Sequence, residues 1–307
     1  MTAAWIAGNV RARALLNRRL GAAKARELAA SPSVAAAVRL LAESPYQHDV
    51  RSGDTLAEAQ RGLRACLLWH LRVLAGWQPR AGIQALRLLA GWFEAGNIGE
   101  HARALAGYPA APPYRLGALA TAWPRLVTTT SLPQLRDALA DSPWGDPGGE
   151  TPAVIAIGTQ LAWAHRVSTD LAVAETAAVS GAAVVVARHR FLDGGNLTHA
   201  MAERAEFLLG AAAVAAPELS GFATALAPRA RWVLADIDTP AELWRAEARW
   251  WARIEHDGFA LLRPAAFGLP RVVGTAAVLA ADARRCEAAL ETAARGGDRL
   301  EAFDAVA

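Results

Sequence analysis

A unit of about 100 residues recurs along this chain, and any fold must accommodate it. Ser33–Tyr46 (SVAAAVRLLAESPY) returns 98 positions later as Ser131–Trp144 (SLPQLRDALADSPW), keeping the opening Ser, Leu-Ala, an acid, Ser-Pro and a closing aromatic. Trp92–Ile98 (WFEAGNI) returns 99 positions later as Phe191–Leu197 (FLDGGNL). A third element reads W-x-x-R followed by a β-branched residue: Trp69/Arg72/Val73, Trp163/Arg166/Val167 and Trp250/Arg253/Ile254. Each follows a threonine that can start a helix, at Thr55, Thr151 and Thr239. With 11 tryptophans in the chain, about one such pair is expected by chance. Trp77/Arg80 supplies it, because it spans Pro79 and lacks the β-branched follower.

The recurring unit is helical by composition. Apolar residues make up 53% of the 307, and alanine dominates them. Alanine is the strongest helix former, while β-branched and aromatic residues are too few for a large sheet. The expectation is an all-α fold of three similar lobes, spanning 1–112, 113–216 and 217–307. The Pro- and Ala-rich stretch Pro109–Pro113 is a stiff connector at the first boundary. In the third lobe the nearest counterpart of the Gly-Asn-apolar step is Ala281-Asp282-Ala283.

The clearest helix is Thr55–Gly76. Leu56, Leu63, Leu67 and Leu74 form one apolar stripe, Thr55 and Glu58 a capping box, and Gly76 the stop. Thr239 and Glu242 form a second box. Trp69 and Arg72 point away from the leucine stripe, so this helix packs on two sides. Two readings of the W-x-x-R pairs follow. Each arginine stacks on its tryptophan in a helix–helix contact within a lobe. Alternatively, Arg72, Arg166 and Arg253 line a surface where the lobes converge on a partner. Asn97 and Asn196 each follow a glycine and read as cap or turn residues that start a helix carrying arginine, Arg103 and Arg204 respectively.

Several chemistries are excluded or unsupported. Lys24 is the sole lysine and lacks a glycine-rich loop, which rules out a P-loop nucleotide site. The seven histidines show no zinc spacing, and His70, at the edge of the leucine stripe, reads as a satisfied core residue. Gly-x-Ser-x-Gly is absent, and the acidic stretch Asp141–Glu150 reads as a Pro/Gly loop. Cys66 and Cys286 lie in separate helical segments and read as small buried apolar residues, consistent with a reducing cytoplasm. The net charge is +3 with the basic residues scattered, unlike a nucleic-acid-binding surface. The N-terminal apolar stretch is too short for a signal peptide, and the longest apolar runs, Thr176–Ala187 and Phe207–Ala216, are shorter than a membrane span. We therefore expect a soluble protein without catalytic residues, metal or cofactor, and with no direct membrane span.

Gly8–Leu20 (GNVRARALLNRRL) carries an N-x-R-x-R-A pattern followed by leucines. It resembles the N-terminal signature of the C (or d) subunit of V/A-type rotary ATPases. Leu40–Tyr46 (LLAESPY) is similar to that family's leucine-rich helix closed by Ser-Pro-Tyr. Trp92–Ile98 with Arg103 is similar to its acidic, Asn-aliphatic segment ending in arginine. The likeness is clear over 5–107 and looser beyond. It implies a funnel or socket of three lobes in pseudo-threefold arrangement, at the cytoplasmic face of the membrane. Such a subunit is non-catalytic. It links the central-shaft subunits to the membrane rotor-ring subunits, coupling ATP hydrolysis or synthesis to proton or sodium transport. The candidate partner-binding residues are Arg72, Arg166, Arg253, Asn97, Asn196 and Arg103. A free-standing α-helical scaffold that binds protein partners is the alternative reading.

Overall fold

The structure, a computed structural model, describes residues 3–264, 267–297 and 300–305. Among these, every regular element is helical. In chain order the α-helices are α1 (Ala3–Leu16), α2 (Ala22–Ala29), α3 (Val34–Ala42), α4 (Leu56–Ala75), α5 (Arg80–Leu105), α6 (Trp123–Leu126), α7 (Leu132–Ala140) and α8 (Pro152–Asp170). They continue with α9 (Glu175–Ala187), α10 (His199–Leu209), α11 (Ala211–Ala215), α12 (Leu219–Ala225), α13 (Pro228–Arg231), α14 (Leu243–Leu262), α15 (Leu269–Ala294) and α16 (Leu300–Asp304).

Side-chain oxygens start these helices where the sequence places them. Ser33, Ser131, Thr151 and Thr198 each accept a hydrogen bond from the backbone N–H three residues ahead. Such a cap satisfies one of the donors a helix start leaves open, and is worth about 1 kcal/mol. Both capping boxes form, Thr55 with Glu58 and Thr239 with Glu242. The stripe on α4 faces inward, with Leu63, Leu67 and Leu74 buried. Residues 108–116 form the irregular connector that the prolines dictate.

The chain divides into two compact units. The first joins the segment through Leu86 to the segment from Trp251 onward; the second is Arg87–Trp250. Within the first unit α15 is the central element and packs against α1, α2, α3 and α4. It is buried nearly all round, from Val272 through Leu290, as expected of a core helix rather than a surface one. Its alanine-rich flanks permit close approach. At Gly258 and Gly274 the backbones of α14 and α15 touch, and a Cβ on Gly274 would lie 2.7 Å from the Gly258 carbonyl oxygen.

The second unit holds two adjoining cores. One gathers Ile98 of α5, Leu126 of α6, Leu135 and Leu139 of α7, Trp144 and Ile155 of α8. The other gathers Leu161 of α8, Val186 of α9, Met201 and Leu208 of α10, Phe222 of α12 and Leu243 of α14.

The 98-residue similarity is structural. In both copies the serine after the helix folds back, Ser44 Oγ donating to Leu41 O (2.6 Å) and Ser142 Oγ to Leu139 O (2.7 Å). Each hydroxyl also accepts from the aromatic residue two positions on, Tyr46 N (3.2 Å) and Trp144 N (3.1 Å). Both rings are buried. The 99-residue similarity is not structural. Trp92–Ile98 continues inside α5, whereas Phe191–Leu197 leaves a π-helical turn (Arg188–Leu192) and becomes loop. Gly194, at φ 69°, takes a left-handed conformation that ends the helix, while Ala95-Gly96 remains helical.

Candidate functional site

Two buried carboxylates organise the two units in the same manner. Glu94, in the middle of α5, has no solvent exposure. Its Oε2 accepts from Thr121 N (2.6 Å), and its Oε1 from Ala122 N (2.6 Å), Trp123 N (2.9 Å) and Trp144 Nε1 (3.1 Å). One side chain thus caps α6 and anchors the Ser-Pro-aromatic corner. In the first unit Asp282 of α15 does the equivalent work. Its Oδ2 accepts from Leu20 N (2.9 Å) and Tyr46 Oη (2.8 Å), and its Oδ1 from Gly21 N (2.8 Å), at the entry to α2. Backbone N–H groups at a helix start carry partial positive charge, which complements a carboxylate placed there. Burial holds the Tyr46 hydroxyl well above its ordinary value, reinforced by Cys286 and Asp282, so it stays a donor.

A second repeated device lies within Arg87–Trp250. Trp163 Nε1 donates to Leu88 O (2.8 Å) and Trp250 Nε1 to Ala177 O (2.9 Å). Each indole lies against a glycine of the helix it grips: a Cβ on Gly91 would meet Trp163 at 2.9 Å, and one on Gly181 would meet Trp250 at 3.0 Å. The tryptophans of the second and third W-x-x-R motifs are therefore helix–helix clamps. Trp69 differs, stacking on His48 with ring centroids 4.3 Å apart.

Arg166 does not lie over its own tryptophan, Trp163. Arg72 is exposed on α4. Arg253 is exposed on α14 and pairs with Asp257 one turn on (2.8 Å). Arg166 is half-buried on α8 and lies over the ring of Trp144, 5.2 Å from its centroid. Asn97 starts no helix. It is buried inside α5, where its Nδ2 donates to Tyr114 O (2.9 Å) and its Oδ1 accepts from Tyr114 N (2.7 Å), tying down the connector. Arg103, in the last turn of α5, also reaches the connector, donating to Pro109 O (3.2 Å) with its guanidinium 5.7 Å from the Tyr108 ring centroid. Asn196 is an exposed loop residue whose carbonyl lies 3.2 Å from His189 Nε2; Thr198, two positions on, is the true cap.

Of the six, Arg166 lines a groove of the second unit. This open groove of about 470 Å³ is walled by Ser142–Gly145, Ala162, His165, Arg166, Glu203, Arg204 and Phe207. Arg204 is fixed in the wall by donating to Asp146 O (2.7 Å) and Trp144 O (3.3 Å). Gly145, at φ 68°, makes room for it, since a Cβ there would come within 2.7 Å of the guanidinium. Burial lowers the affinity of both arginines for their proton, against the pull of Glu94 and Asp170 on Arg166 and of Asp146 and Glu203 on Arg204. His165, packed edge-on against Phe207 (4.4 Å), is also pushed down, by burial and then by Arg204. With Arg166 and Arg204 against Glu203, the groove wall carries more positive than negative groups.

Two carboxylates of the nearby acidic loop, Asp146 and Glu150, are engaged. Arg136 holds Asp146 (2.9 Å) and Glu150 (3.5 Å), keeping Asp146 below the usual carboxylate range. His70 is not a satisfied core residue. It is buried, its Nε2 has no hydrogen-bond partner, and burial together with Arg18 and His48 pushes it down to about 4.

No family model matches this sequence, and no curated protein matches it. Among the described residues no group of three or more His, Cys, Asp or Glu is placed to hold a metal ion, and no helix is long and apolar enough to cross a membrane. The two buried acids escaped sequence reading, although both signals were present. Glu94 lies inside WFEAGNI, and Asp282 inside the step that matched it imperfectly.

Proposed function

We propose that this protein is a non-catalytic coupling subunit of a V/A-type rotary ATPase, linking the central shaft to the membrane rotor ring. The observation that carries the reading is the twin carboxylate brace. A part that transmits torque must not yield between its ends, and stiffness comes from close-packed helices tied by buried, satisfied hydrogen bonds. Glu94 and Asp282 supply such ties at matching corners of a repeated unit. The resemblance over residues 5–107 supports that family, and the helical architecture accommodates it. In this reading three related bundles form a pseudo-threefold socket around the shaft, on the cytoplasmic side, and ATP and ion chemistry belong to other subunits.

Affinity purification of the tagged protein from detergent-solubilised host membranes tests the proposal. Shaft and ring subunits of the ATPase should accompany it in stoichiometric amounts. Their consistent absence, with the tagged protein folded, would remove the rotary reading. A free-standing scaffold is the second reading, favoured by the groove at Arg166, which needs no motor to have a use.

A further inference from the structure

We propose that the groove formed by Arg166, Arg204, His165 and Phe207 is a docking site for an acidic segment of a partner protein, one carboxylate engaging Arg166 while an apolar neighbour covers Phe207. The inference is independent of the rotary reading, because it rests on the chemistry of the groove alone.

Arg166 is placed for recognition rather than for stability. Its guanidinium lies over Trp144, 5.2 Å from the ring centroid, and no carboxylate or carbonyl among the described residues is seen to accept from it. A half-buried, oriented guanidinium with open N–H edges presents the geometry that a carboxylate matches with two parallel hydrogen bonds. Arg204 adds a second positive charge to the same groove, and its two backbone acceptors hold it there. The wall holds two arginines against one carboxylate, Glu203. Glu203 reaches back toward His199 (3.3 Å), Asp146 is held by Arg136, and Glu94 is consumed by its brace. The apolar half of the recognition is Phe207, 59% exposed and backed by His165. An exposed aromatic beside an open guanidinium selects an acidic residue next to an apolar one. It disfavours a bare inorganic anion, which would leave Phe207 in water.

The test is titration calorimetry of the full chain in low salt with acetyl-Leu-Glu-Glu-Leu-amide, its Gln-Gln analogue and inorganic phosphate. The acidic peptide should bind saturably and weaken as salt is raised, while the amide analogue and phosphate bind at least tenfold more weakly. Arg166→Gln should weaken peptide binding about tenfold or more, the loss expected of a charge-assisted hydrogen bond. Phe207→Ala, at an exposed rim position that leaves the fold intact, should weaken it several-fold, and Arg229→Gln, an exposed arginine of the same unit that does not line the groove, should leave it unchanged. Phosphate binding as tightly as the peptide, equal binding of the amide analogue, or no saturable binding at all would overturn the proposal. So would peptide affinity unmoved by both Arg166→Gln and Phe207→Ala.

Discussion

Glu94 has four hydrogen-bond donors aimed at it and no cation among them. Replacing it by glutamine turns an amide N–H₂ toward backbone N–H groups. We expect Glu94→Gln and Asp282→Asn each to cost about 2–3 kcal/mol in urea unfolding, whereas Arg229→Ala, which breaks the exposed pair with Glu175, should cost less than about 0.5 kcal/mol. Equal small effects for all three would show the braces to be incidental. His70 adds a pH dependence. Its folded value, about 4, lies below its ordinary 6.5, so the unfolded chain takes up the proton first. Stability is therefore unaffected above 6.5 and falls as pH drops from 6.5 toward 4, by roughly 3 kcal/mol in full. The difference between wild type and His70→Gln should shrink over that window; a constant difference would place His70 in water. Sequence reading found the aromatic partners Tyr46 and Trp144 but not the acids. Most of their donors are backbone groups 27 or more positions away, which no side-chain pattern records.

Helix starts were legible because their determinants are local. Thr55 with Glu58, Thr239 with Glu242, and the two Ser-Pro-aromatic corners stand where the residues put them. Asn97 misled because Gly-Asn serves equally as a turn signal and as a close-packing step. Only the tertiary contact with Tyr114 decides between them. The glycines of α5 divide in the same way. Gly96 has nothing within reach of an added Cβ, whereas Gly91 has Trp163 at 2.9 Å. On one helix, Gly96→Ala should stabilise by about 0.5–1 kcal/mol through helix propensity, while Gly91→Ala should destabilise, by about 1 kcal/mol or more, because the clamped indole cannot retreat. Thermal melts of the pair decide this. If both substitutions stabilise, Trp163 is not held as described.

At the scale of the molecule, the all-helical character was readable from composition, but the grouping into two units was not. It depends on α15 packing against α2, α3 and α4, helices more than two hundred residues earlier. Both free cysteines belong to that first unit. Burial pushes the Cys66 thiol up to about 12 and Cys286 well above its usual value, so neither is reactive in the folded protein. Alkylation should therefore report the opening of the first unit alone, while a fragment spanning 80–250 should melt cooperatively without it. Rapid labelling under native conditions, or a fragment with no helical signal, would contradict that division.

The place of α15 also bears on synthesis. During translation Arg87–Trp250 emerges whole and can close on itself, while the first 86 residues wait with Tyr46 and the α2 entry unpaired until Asp282 leaves the ribosome. For that interval the N-terminal helices offer bare leucine and alanine faces to the cell. Such an order leaves α1–α4 without their central partner until α15 is made, and loss of α15 damages helices synthesised long before it.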